Sequence, residues 1–91
     1  MKVNITNLEK KLLEFEVSDC DVSILNYLVH RLNQNKQVEF AAYKMGHPLI
    51  GLPKMIVRTK NDDALDVVLE ELKTIGDELS TFRKEFENAV K

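Results

Sequence analysis

At 91 residues the chain is long enough for one domain with a modest core, small enough that association is a ready source of extra stability. Its 44% hydrophobic and 31% charged residues exclude a disordered chain, and a net charge of −2 gives no general attraction to phosphate backbones. The lone Cys20 excludes an internal disulfide framework and suits a reducing cytoplasm, and no apolar run of membrane-spanning length or leader-like opening is present, so a cytoplasmic chain without membrane contact is expected.

Val3 and Ile5 alternate with Lys2, Asn4 and Thr6, the period-two pattern of a strand with one buried face. Asn7-Leu8-Glu9-Lys10 reads as a polar hairpin connection. Leu13, Phe15 and Val17, alternating with Leu12, Glu14 and Glu16, predict a second strand paired with the first. Ser18-Asp19-Cys20-Asp21 breaks the pattern and offers helix-capping oxygens. From Val22 to about Asn33 the period becomes helical. Ile24, Leu25, Leu28, Val29 and Leu32 share a wide apolar face with Tyr27 at its border, while Asn26, His30 and Arg31 lie off its middle. That face is broad enough for the sheet below and a neighbour alongside.

Val38, Phe40 and Ala42 then alternate with Glu39, Ala41 and Tyr43, predicting a third strand with Val38, Phe40 and Ala42 on one side. Gly46, Pro48, Gly51 and Pro53 punctuate a loop, and Met55 to Thr59 reads as the fourth strand. Asn61, Asp62 and Asp63 open a long helix whose stripe recurs in alternating steps of three and four: Leu65, Val68, Leu72, Ile75, Leu79, Phe82, Phe86 and Ala89. Only Gly76 interrupts it, costing about 1 kcal/mol relative to Ala. About 28 residues would span roughly 42 Å, against a diameter of roughly 30 Å for a compact chain of this size. Strands of five to seven residues reach only about 17–24 Å. The inner half, Leu65 to Leu72, is therefore expected to lie on the chain's own sheet, and the outer half, Ile75 to Phe86, to need a second chain.

The order β-β-α-β-β-α predicts a single domain over residues 1–91 of the α+β class. It is a two-layer sandwich with a four-stranded antiparallel sheet, two helices on one face and a long C-terminal helix. His30 and His47 lack metal-ligand spacing with Cys20 or the acidic residues. Cys20, beside two aspartates, lacks the electropositive setting that activates a thiol. Asp62, Asp63 and Asp66 are accounted for by capping and dipole complementarity. No phosphate loop, nucleophile elbow or basic-aromatic platform occurs. No catalytic, metal-binding or cofactor-binding residue is predicted, and no cofactor. A stand-alone homodimeric interaction module is one open reading. A small-molecule site around His47 and Tyr43 is another, and it requires a concave pocket.

The block Val38-Glu39-Phe40-Ala41-Ala42-Tyr43, then His47-Pro48-Leu49, Ile56-Val57-Arg58-Thr59 and Asp63-Ala64-Leu65, resembles the family of archaeal DNA-directed RNA polymerase subunit L. That family includes small eukaryotic polymerase subunits and is related to the bacterial alpha N-terminal domain. Its first-helix motif, D-H-T-L-G-N-L-L, is similar to Asp21 through Leu28, with Val22 in place of His and Leu25 in place of Gly. The resemblance implies a non-catalytic assembly subunit of a nucleotidyltransferase complex. Such a protein forms a heterodimer with the larger, alpha-like RNA polymerase subunit, through two helices of each partner, as the platform for the large catalytic subunits. Nucleic acid would be met only through the complex. On that basis Leu25, Leu28, Val29, Leu32, Ile75, Leu79, Phe82 and Phe86 are the expected dimer interface, and His47, Pro48 and Leu49 a loop touching another subunit.

Overall fold

The computed structural model describes residues 1–45 and 52–90. The expected element order is present: β1 (Lys2–Glu9), β2 (Leu12–Ser18), α1 (Val22–Gln34), β3 (Val38–Lys44), β4 (Lys54–Thr59) and α2 (Ala64–Ala89). The strands form one antiparallel sheet in the order β1-β2-β4-β3. The core lies between the two central strands and the helices. Leu13 and Phe15 of β2 stand opposite Val57 and Met55 of β4, and above them sit Leu25, Leu28 and Leu32 of α1 with Ala64, Val67 and Val68 of α2.

Both helices begin where a carboxylate satisfies free backbone donors. Asp21 Oδ1 accepts from the Ser23 amide at 2.8 Å, and Asp63 Oδ1 accepts from Leu65 and Asp66 at 3.0 and 3.3 Å. The Ser23 amide bond is the main reason the Asp21 carboxyl is held below its usual range. The start of α2 is also tied to the first hairpin, since the Ala64 and Thr59 amides donate to the carbonyls of Lys10 and Lys11.

Two register shifts change which side chains face the core. In β1, Ile5 stands opposite Phe15 and Asn7 opposite Glu14, so Thr6 is an extra residue. The hairpin therefore stays paired to Glu9 and Leu12, and the expected Asn7–Lys10 connection is instead the end of the strand. Leu8, opposite Leu13, is carried to the same face as Val3 and Ile5. In β3 the shift falls at Glu39, between Val38 and Phe40. Beyond it Ala41 and Tyr43 pair with core residues Val57 and Met55, whereas Phe40 and Ala42 pair with Arg58 and Ile56 on the outer face. The simple alternation that grouped Val38, Phe40 and Ala42 is thus broken by one residue. Val38 and Ala41 are buried and Phe40 is exposed.

The free edge of β3 is partly closed by a side chain of α1. The Asn33 amide donates to the Ala41 carbonyl and accepts from the Ala41 N–H, both at 2.9 Å, as a neighbouring strand would. The 26-residue α2 leaves the body. The radius of gyration is 14.9 Å, against about 12 Å for a compact chain of this length, and the longest dimension is 47 Å.

Candidate dimerisation surface

Helix α1 packs over β3, and α2 packs over β2 and β4. No helix of the chain covers β1. Its inner-face residues Val3 and Ile5, which stand opposite the buried Val17 and Phe15, are accordingly 59% and 48% exposed. They form one wall of an open groove of about 370 Å³, whose other walls come from β2 and from Ile24, Leu25 and Leu28 of α1 and Leu65, Val68, Leu69 and Leu72 of α2. Every lining side chain is apolar or Cys20. A small-molecule site needs a few polar groups to orient its ligand, and this groove has none beyond that thiol.

The stripe of α2 divides differently from expectation. Val68 is buried and Leu65 and Ile75 rest partly on the core, but Leu69 and Leu72 are exposed because they face the groove above the uncovered β1. From Gly76 to Val90 every residue of α2 is exposed. Leu79 lies there with Phe82 and Phe86, whose rings stack at 6.4 Å and 12° and are 68% and 64% exposed. A phenylalanine can bury about 150–250 Å², so the two rings alone present roughly 250 Å² of open aromatic surface. With the leucines and the groove beside them, the apolar surface exceeds the few hundred Å² usual on a monomer.

The predicted interface residues thus fall into two groups. Leu25, Leu28 and Leu32 are buried in the chain's own core, with Val29 and Ile75 packed against it. Leu79, Phe82 and Phe86 stand free on the projecting helix. Ile24 and Tyr27 on α1, and Met1, Val3, Ile5 and Leu8 near β1, are exposed apolar neighbours that helical periodicity does not single out as partner-facing. His47, Pro48 and Leu49 lie outside the described residues. Among the described residues, Tyr43 is half-buried against the core and His30 is exposed beside Gln34.

Arg31 sets the direction in which α2 leaves the body. Its Nε donates to Glu71 Oε1 at 3.0 Å, and its two terminal nitrogens donate to the Glu78 carboxylate at 2.6 and 3.1 Å. One guanidinium on α1 therefore grips two residues one heptad apart on α2, with a fork geometry that lysine cannot reproduce. The Tyr27 hydroxyl accepts a further bond from Arg31 at 3.1 Å. The Arg31 hydrogen bonds hold the Glu78 carboxyl below its ordinary 4.5, and the same contacts, Glu78 foremost, raise Arg31. A depressed carboxylate contributes stability that is complete above about pH 4.5 and vanishes as the pH falls through the lower folded-state value. Thermal unfolding of the native chain should therefore lose more stability below pH 4.5 than that of Glu78→Gln. Equal losses would show that the pair does not hold in solution.

These features define a class: a two-layer α+β chain with an incomplete apolar face, built to be finished by a second chain. The family model for the RNA polymerase Rpb3/Rpb11 dimerisation domain matches residues 12–85, and the chain belongs to that family. DNA-directed RNA polymerase subunit Rpo11 of Pyrococcus furiosus is 33% identical over 94 aligned residues, covering 100% of this chain and 99% of that one. The Rpo11 subunit of Thermoplasma acidophilum is 29% identical over 93% of this chain and 80% of its own. The crystal structure of DNA-directed RNA polymerase subunit L from Thermoplasma acidophilum superposes with a TM-score of 0.78 at 25% identity, covering 96% of this chain and 90% of that one. The archaeal subunit L resemblance and the α+β architecture expected from the sequence both agree with these matches.

Proposed function

We propose that this chain is a cytoplasmic, non-catalytic assembly subunit of DNA-directed RNA polymerase. It pairs with the larger, alpha-like polymerase subunit, and the heterodimer serves as the platform on which the large catalytic subunits assemble. Membership of a dimerisation-domain family whose relatives are polymerase subunits supports the class of partner. The observation that carries the reading is the continuous apolar face running from the groove above β1 to Phe82 and Phe86, which the chain leaves uncovered. Leu69, Leu72, Leu79, Phe82 and Phe86 with Ile24 and Tyr27 form the partner-facing set, bordered by Leu28 and Ile75. Leu32, with no exposed surface, serves the fold beneath it.

No helix among the described residues is long and apolar enough to cross a membrane. Nucleotide chemistry and DNA contact belong, in this reading, to other subunits of the complex. Co-expression with the alpha-like subunit is expected to yield a soluble 1:1 complex more stable to heat than either chain alone, because binding to the folded state stabilises it. Sedimentation of the purified chain across a concentration series distinguishes the alternative. A tight homodimer that refuses the alpha-like subunit at micromolar concentration would overturn the assignment.

A further inference from the structure

The outer half of α2 repeats the chemistry of its inner half, but without the helix that satisfies it. In the heptad frame of the stripe, Leu65, Leu72, Leu79 and Phe86 occupy one core position and Val68, Ile75, Phe82 and Ala89 the other. The flanking position just before the first of these is glutamate three times over: Glu71, Glu78 and Glu85. Seven residues make nearly two turns, so all three carboxylates lie along one edge of the apolar stripe. On the inner half α1 covers the stripe, and its Arg31 binds Glu71 and Glu78 from that edge. On the outer half the stripe is Leu79, Phe82 and Phe86, all exposed, and the edge carboxylate is Glu85.

Glu85 has no counter-charge within its own chain among the described residues. The ion pairs there join Arg31 to Glu71 and Glu78, Lys54 to Glu14, and Arg83 to Glu87. Along the helix its neighbours at three and four residues are Thr81, Phe82, Asn88 and Ala89, none of them basic. Nor does the helix itself favour an acid so close to its C-terminal end, where the dipole prefers cations and the last turn holds none. Glu87 is offset by Arg83 at 3.0 Å, whereas Glu85 is not.

We infer that the outer half of α2 receives a partner helix that imitates α1: apolar residues seated on Leu79, Phe82 and Phe86, and an arginine or lysine at the edge of that face reaching Glu85. The inference rests on the heterodimer reading and adds to it the charge by which the partner is chosen. The stacked phenylalanines supply contact area that any apolar helix can use. Glu85 discriminates, because closure of that contact leaves a carboxylate at its border that a basic residue stabilises and an acidic one repels.

The test is the affinity of the full chain for the alpha-like subunit, measured at low and high salt. Glu85→Gln should weaken pairing by about 5–10-fold at low salt and flatten its salt dependence, and Glu85→Lys should weaken it by more than about 20-fold. Glu87→Gln, whose carboxylate is already paired within the chain, should stay within about twofold of the native affinity. If Glu85→Lys binds with native affinity and salt dependence while Phe82→Asp abolishes pairing, the charge assignment is wrong and the heterodimer reading stands. If Phe82→Asp also pairs normally, both fall.

Discussion

Phe82→Asp, or Phe86→Asp, should abolish pairing with the alpha-like subunit while leaving the isolated chain as stable as before. The two halves of this expectation come from the same observation. Each ring is about two-thirds exposed and touches chiefly the other ring, so the isolated fold gains little from either. Exposed positions of this kind usually change stability by no more than about 0.5 kcal/mol. In the complex the same position lies in a desolvated apolar contact, where a carboxylate has no partner and costs several kcal/mol. A loss of at least about 100-fold in affinity is expected, equivalent to roughly 2.7 kcal/mol. Thermal unfolding of the lone chain and titration against the partner measure the two quantities separately. A variant that lost its own stability in parallel with its affinity would return the rings to the fold of the single chain.

Much of this architecture is legible in the sequence because each element has its own period. Alternation over Leu12–Val17 and a three-four stripe over Leu65–Ala89 are long enough to exclude one another's structure. The length of α2 against the reach of its strands is enough to indicate a projecting helix, and the structure has one. Single residues that change register are not legible in the same way. Thr6 and Glu39 each add one position, and each carries the following side chains to the opposite face. A shift of one residue leaves composition and average spacing unchanged, so nothing in the local pattern announces it.

The uncovered β1 is equally hidden, for a different reason. Val3 and Ile5 have the alternation of a strand over a core, and they do face the helix side of the sheet. Whether a helix reaches over them depends on strand order, and the order β1-β2-β4-β3 puts β1 at the edge. Arg31 and Asn33 are, by sequence alone, polar residues at the flank and end of a helix. Their partners, Glu71, Glu78 and Ala41, become neighbours only in the folded chain.

Leu32→Ala should act in the reverse sense to the phenylalanine variants. Helical periodicity places Leu32 on the same broad face as Leu25 and Leu28, which makes the whole face a natural candidate for a partner. In the folded chain Leu32 has 0% exposure and belongs to the core formed with β2, β4 and α2, so it has no surface of its own to offer. Truncation removes buried methyl groups and leaves a cavity, costing about 2–5 kcal/mol. For a small domain with about 5–15 kcal/mol in total, that is a large share. The lone variant should therefore unfold at a markedly lower temperature than the native chain. Pairing should still occur at temperatures where it remains folded, within a few-fold of the native affinity, and should fail as the lone chain melts. Excess partner should recover part of the lost thermal stability, since ligation draws the folded form from the unfolded one. The decisive comparison is the temperature dependence of binding alongside the melting curve of the same variant. A native melting curve with weakened binding at every temperature would move Leu32 from the core to the interface.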